Sequence, residues 1–241
     1  MANYQVLAKS VSALMLGVFL MFALTSNQIA LSLQEDTRLK EGMQVMNLAL
    51  EKMRNKDYPG ALELFLKCLD RAPEYGPSFS DIKNSFLMIY LKKMIVDYPP
   101  TEKELVDRFI IITSKVKTGK FCQLEADCLL ELADILGEKD ELIIVYEAAK
   151  KNITDDSSLK FLVEELYPVL YKNNRYLEIY ENMDLLASAR DLVNRWNELG
   201  KIGPAKESIL GRLVEYKTIL ESLKDIDKAK EIEKLIAVLD Q

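Results

Sequence analysis

Between Asn47 and Glu74 the chain reads NLALEKMRNKDYPGALELFLKCLDRAPE, and its spacing of very small against very large apolar residues leaves few folds open. Ala49 and Ala61 stand where two neighbouring helices would cross closely, and Tyr58 and Phe65 are large enough to fill the wedge beside such a crossing. Pro59 suits a first helical position, where its missing N–H would have no partner in any case. Pro73 stops the second helix, because the residue before a proline avoids the α region. The stretch therefore predicts two antiparallel helices, about 36–56 and 59–72, joined by a tight turn.

Helical spacing continues to the end of the chain, which has only nine glycines and seven prolines in 241 residues. Helices are expected at about 80–97, 101–117, 120–136, 139–151, 184–199, 204–223 and 226–240. Another opens at Asp155-Asp156-Ser157 and is kinked or split at Pro168. Thr101-Glu102-Lys103-Glu104 reads as a capping box, and Gly137 as a left-handed C-terminal cap. The β-branched runs Ile110-Ile111-Ile112 and Ile143-Ile144-Val145 are the only rivals as strands, and each lies inside a longer helical pattern.

Ala49, Tyr58, Ala61, Phe65 and Pro73 also match the small, aromatic, small, aromatic and helix-ending positions of a tetratricopeptide repeat, and over about 34 residues the stretch resembles that family. Lys52, in place of a usual aromatic, and Cys68, in place of a small residue, depart from the pattern. Tyr146 and Tyr180 are one 34-residue period apart, each followed by Glu and preceded four residues back by Leu142 and Tyr176. They look like counterparts of Phe65, with Ala149 and Met183 as counterparts of Cys68. The resemblance implies an all-α fold in which antiparallel helix pairs stack as a right-handed solenoid over residues 33–241. The usual work of such a solenoid is to hold a protein or peptide in its groove.

After Lys9, residues 11–24 (VSALMLGVFLMFAL) carry no charge, behind a short and mildly basic start. That is the layout of a secretory signal, with Ala30-Leu31-Ser32 offering small residues for cleavage and a mature chain beginning near Leu33. Extended through Ser10 to Leu31, the same segment is long enough for an uncleaved membrane anchor. A buried first helix is the third reading, and it would need cover on every side. Residues 1–32 are thus expected as a signal peptide or N-terminal anchor, with a final address in the secretory pathway or cell envelope.

The whole chain has a net charge of −6, and removing residues 1–32 takes away only Lys9, leaving 31 basic groups against 38 acids, or −7. Nucleic acid is not an expected partner, because phosphate binding needs a basic stripe and Lys115, Lys117 and Lys120 form only a short basic turn. Histidine is absent, which removes Cys-His and Ser-His-Asp triads and most zinc or haem ligation. Three cysteines, Cys68, Cys122 and Cys128, cannot all pair within one chain, and they read first as small hydrophobes. Asp155-Asp156 reads as a helix cap rather than a metal site, and Lys117-Thr118-Gly119-Lys120 lacks the glycines of a phosphate loop. No cofactor, metal or catalytic residue is expected.

Two faces are candidates for partner binding. Met43, Met46, Leu50 and Met53 form an apolar stripe on the first helix, apart from the side Val45, Leu48, Ala49 and Lys52 expected to pack on the second. Methionine suits a groove that must adapt to a partner's apolar anchors. Asp127, Glu131 and Asp134, at i, i+4 and i+7, line three carboxylates along one side of the fifth helix and could receive a basic peptide. The resemblance places both sets on the concave, ligand-facing side. The expectation is an exported or membrane-anchored scaffold or adaptor. The alternatives are a self-associating structural module, whose contact would be the methionine stripe, and an all-α enzyme using carboxylates alone.

Overall fold

The computed structural model describes residues 37–198 and 203–239, and every regular element among them is helical. Both isoleucine runs lie within helices. The expected signal or anchor, 1–32, lies outside the described residues; among those described, no helix is long and apolar enough to cross a membrane. Residues 33–241, expected as one run of repeats, contain two compact units that meet in the chain between Thr101 and Glu102.

The first unit holds α1 (37–54), α2 (Tyr58–Asp70), a 3-10 turn at Ala72–Tyr75, α3 (Pro77–Ile82), a π-helical turn at Lys83–Leu87 and α4 (Met88–Asp97). The start of α2 is as its sequence requires. Asp57 Oδ1 accepts a hydrogen bond from the Gly60 backbone N–H at 3.1 Å, and Pro59 occupies the first turn. The second oxygen of Asp57 accepts from Lys52 Nζ at 2.6 Å and ties the end of α1 to this cap. Ala49, Ala61, Phe65 and Cys68 are fully buried. Half-buried Tyr58 stacks on Tyr98 with 6.1 Å between ring centroids, and Phe65 on Tyr90 with 5.9 Å. At Gly42, α1 comes so close to the corner formed by Tyr75 and Phe79 that a Cβ there would lie 2.6 Å from the Phe79 ring.

Three expectations are corrected in this unit. Pro73 does not end α2, which stops at Asp70; the proline is exposed in the following 3-10 turn, a geometry its fixed φ permits. The third helix begins at Pro77 rather than near 80 and contains the π turn, where the Met88 N–H donates to the carbonyl of Lys83, five residues back. Thr101 is no N-cap. The helix α5 (Pro100–Lys117) starts one residue earlier because Pro100 is preset for a first helical position. Thr101 therefore lies inside the first turn, its N–H donating to the Tyr98 carbonyl at 2.9 Å and its hydroxyl buried without a hydrogen-bond partner.

The second unit takes in the rest of α5, then α6 (Gln123–Leu136), α7 (Glu141–Asn152), α8 (Asp156–Glu165), α9 (Tyr167–Lys172), α10 (Tyr176–Asn182), α11 (Leu185–Glu198), α12 (Gly203–Ser222) and α13 (Ile226–Leu239). Gly137 closes α6 at φ 77°, and Asp155 caps α8 by accepting from the Ser158 N–H at 2.8 Å. Pro168 splits the next helical stretch, with α8 ending at Glu165 and α9 beginning at Tyr167. The last three helices pack on one another. The 34-residue echo is one-sided. Leu142, Tyr146 and Ala149 are fully buried, whereas Tyr176, Tyr180 and Met183 are half-buried and Ile179 enters the core instead. Met183 follows the short α10 as its C-cap, so it cannot repeat the helical role of Ala149.

Candidate partner-binding groove

A groove of about 600 Å³ runs along α5 in the second unit, opposite the turn between α6 and α7. The neighbouring contacts explain its shape. Intrahelical pairs Lys103–Asp107 (2.6 Å) and Glu104–Arg108 (3.3 Å) lie on the outer face of α5, where solvent screens them and they add little. Its inward line is Leu105, Phe109, Thr113 and Val116, all buried. The turn that follows Lys117 is made by Gly119 at a φ of 70°; a Cβ there would lie 3.0 Å from the Asn152 carbonyl oxygen. Asn152 Nδ2 donates to the Lys117 carbonyl at 2.7 Å and clamps the end of α5 to the end of α7. Lys115 pairs with Glu125, whose second oxygen accepts from the Cys122 N–H at 2.8 Å and secures the start of α6.

Val106, Phe109, Ile110 and Leu136 give the groove its apolar surface, and Thr113, Lys117, Glu138 and Glu141 supply polar atoms. Ile110 is 58% exposed, so the apolar wall faces solvent. Lys117 Nζ and Glu141 Oε1 pair at 2.8 Å across the opening, each about one-third exposed. Glu138 adds an exposed acid beside them. Thr113 is 7% exposed and its hydroxyl has no hydrogen-bond partner, although a threonine within a helix can bond the carbonyl four residues back. Leaving such a group unsatisfied costs about 1–3 kcal/mol. The volume and the mix of apolar wall with a few polar groups are those of a site that accepts side chains or a small ligand.

The residues singled out from sequence are elsewhere. Met46 is 4% exposed and Met43, Leu50 and Met53 are half-buried, while Leu48, expected to pack on α2, is 46% exposed. Of the methionine stripe, Met46 belongs to the core, and the other three stay partly accessible. Because Gly42 allows close approach, the line Gly42, Met46, Ala49, Met53 turns inward and carries Leu48 out. Asp127 and Glu131 are half-buried on α6, and Asp134 is ion-paired with Lys139. At about 100° per residue this row lies on the side of α6 opposite Leu136, so it does not border the groove. The sequence signal for the groove was Ile110-Ile111-Ile112 itself, since three consecutive isoleucines in a helix cannot all face inward.

Other groups have structural surroundings. Cys68 and Cys128 are buried, Cys122 is exposed, and all three are free thiols. Burial pushes the Cys68 thiol up to about 11, so it stays protonated and inert near neutrality. Burial likewise pushes the Tyr146 hydroxyl up to about 12. Between α10 and the α12–α13 turn, Tyr180 donates to Asp225 at 2.9 Å, and Lys228 Nζ lies 3.3 Å from the same carboxylate and 4.9 Å from the Tyr180 ring centroid. Burial alone would raise Asp225; Tyr180 and Lys228 hold it below the ordinary carboxylate value. This cluster fixes the start of α13, where Asp225 Oδ1 accepts from the Lys228 N–H at 3.3 Å. Among the described residues no group of three or more cysteine or acidic side chains is placed to hold a metal ion.

Comparison with known proteins gives no match to a family model, to a curated protein or to a solved structure.

Proposed function

We propose that the chain is an exported or membrane-anchored interaction scaffold, a tetratricopeptide-like solenoid of antiparallel helix pairs that holds a protein or peptide partner. The observation that carries the reading is the groove along α5. It combines an exposed isoleucine, a further apolar wall and a polar rim, the composition a peptide with alternating apolar and polar side chains would meet. Supporting the repeat itself are the buried positions Ala49, Ala61 and Phe65 in the first unit and Leu142, Tyr146 and Ala149 in the second, each spaced as the family spaces its packing residues. Neither the methionine stripe nor the acid row of α6 lines this groove.

The test is selection of displayed peptides on the purified protein and on Ile110→Glu. Peptides enriched by the parent should bind the variant at least tenfold more weakly, while its melting temperature stays near the parent's because an exposed side chain has changed. Equal binding to both proteins removes the groove from the account.

A further inference from the structure

The groove along α5 has an order as well as a composition. Val106, Ile110, Thr113 and Lys117 fall at i, i+4, i+7 and i+11, an arc of about 60° on one side of the helix, so the stripe runs from apolar to polar over about 16 Å. Glu141, paired with Lys117 at 2.8 Å, marks the polar end, and Glu138 lies beside it, its carbonyl accepting from the Glu141 N–H at 3.0 Å. Neighbouring Lys139 is paired with Asp134. The Glu138 carboxylate is exposed and has no ion-pair partner among the described residues. One uncompensated acid therefore stands at the polar end of an apolar row whose Ile110 faces solvent. The wider charge has the same sign. Residues 102–241 carry 28 acids against 21 bases, or −7, whereas residues 1–101 carry 10 against 11, or +1.

We propose that the groove selects a basic peptide, an extended segment whose first and third side chains are apolar and lie against Val106, Ile110 and Leu136, while the fifth is a lysine or arginine that meets Glu138 and Glu141. The proposal rests on the reading of this groove as a peptide site and adds the sign and the order of what it holds. An extended chain rises about 3.3 Å per residue with alternate side chains on one face, so this row of three spans about 13 Å and fits along the stripe. Charge selects the occupant. An acidic peptide would meet Glu138 with no cation left to answer it, since Lys117 and Lys139 are already paired. A second copy would bring its own excess of acid against an acidic unit.

The experiment measures the fluorescence anisotropy of labelled peptides on the full chain. Each peptide has a Leu-Gln-Leu core flanked by glutamine and carries arginine, glutamine or glutamate two positions outside each leucine, so that either chain direction is served. The arginine peptide should bind at least tenfold more tightly than the glutamine peptide, and the glutamate peptide more weakly than either, with the preference lost in half-molar salt. Glu138→Lys should reverse the order. Glu207→Lys, the same change of charge at an exposed position on α12, should leave it as it is, and Ile110→Ser should weaken all three peptides. Equal binding of the arginine and glutamine peptides, both weakened by Ile110→Ser, overturns the selection for cations although the groove still holds peptides. An arginine preference that Glu207→Lys abolishes as readily as Glu138→Lys, or an arginine peptide whose affinity Ile110→Ser leaves untouched, is attraction to the unit as a whole and overturns it too. If no peptide binds the parent, the peptide reading and this proposal fall together. Binding that weakens as the protein is concentrated, with a dimer in sedimentation, assigns the groove to a second copy instead.

Discussion

Glycine 42 and glycine 211 share a residue type and call for opposite outcomes. Both are helical, and replacing either with alanine gains about 0.5–1 kcal/mol of helix propensity. At Gly211 a new methyl group meets nothing within 4 Å, so Gly211→Ala should raise the unfolding free energy by that amount. At Gly42 the same group would lie 2.6 Å from the ring of Phe79, which is fully buried and cannot yield, so Gly42→Ala should cost a net 1–3 kcal/mol, roughly, in urea denaturation. Met46 and Leu48 form a second pair. Met46→Glu should lose about 3 kcal/mol or more by burying a carboxylate, and Leu48→Glu should stay within about 0.5 kcal/mol. Residue size made Ala49, Ala61 and Phe65 legible as packing positions. The rotation of α1 was not legible, because it depends on Gly42 meeting Phe79 from 37 positions further along the chain.

Helix ends were the most readable elements, since caps are local chemistry. Gly137 and Asp155 act where the sequence put them, while Asp57 caps the helix start that Pro59 alone had marked. Thr101 failed because two signals competed, and a proline that presets φ outweighed a hydroxyl that would have had to reach back to the chain. The cap of α6 escaped notice because Cys122 is an unusual residue to stand there, though Glu125 three positions on was the visible half of a capping box. Glu125→Ala removes both the acceptor for the Cys122 N–H and the partner of Lys115, so it should cost about 1 kcal/mol in urea denaturation. The groove was only half legible. Isoleucine in excess of what one helix can bury was written in the chain, but the α6–α7 turn opposite it comes from tertiary packing.

At the scale of the second unit, Arg175 joins elements that the chain keeps apart. It pairs with Glu147 on α7, and its Nε donates to Glu178 on α10 at 2.9 Å; Lys150 Nζ lies 3.5 Å from Glu178. The hydrogen bond from Arg175 holds the Glu178 carboxyl below its ordinary value of 4.5. A carboxyl depressed in the folded state stabilises fully above its unfolded pKa, and that contribution is lost as pH falls through the depressed value. Urea denaturation across a pH series should show stability level above about pH 5.5 and falling below it. Glu178→Gln should lower the plateau by about 1–2 kcal/mol and flatten the acid limb. An equally steep limb in the variant would assign the acid sensitivity to other carboxylates. All-helical character was legible over the described residues, yet the division near Thr101 was not, since α5 runs through it without a break.

The π turn at Lys83–Leu87 amounts to one surplus residue, and it decides which side of α4 meets the world. Counting onward from buried Phe79 at α-helical spacing would bring Phe86, Tyr90, Lys93 and Asp97 inward, two of them charged. The surplus residue advances the helix by about 100°, so Leu87, Leu91 and Met94 take the interior while Lys93 and Asp97 stay in water. Deleting a single residue within the turn would therefore act less like a lesion than like a change of gear, presenting to solvent the side chains that now form the core.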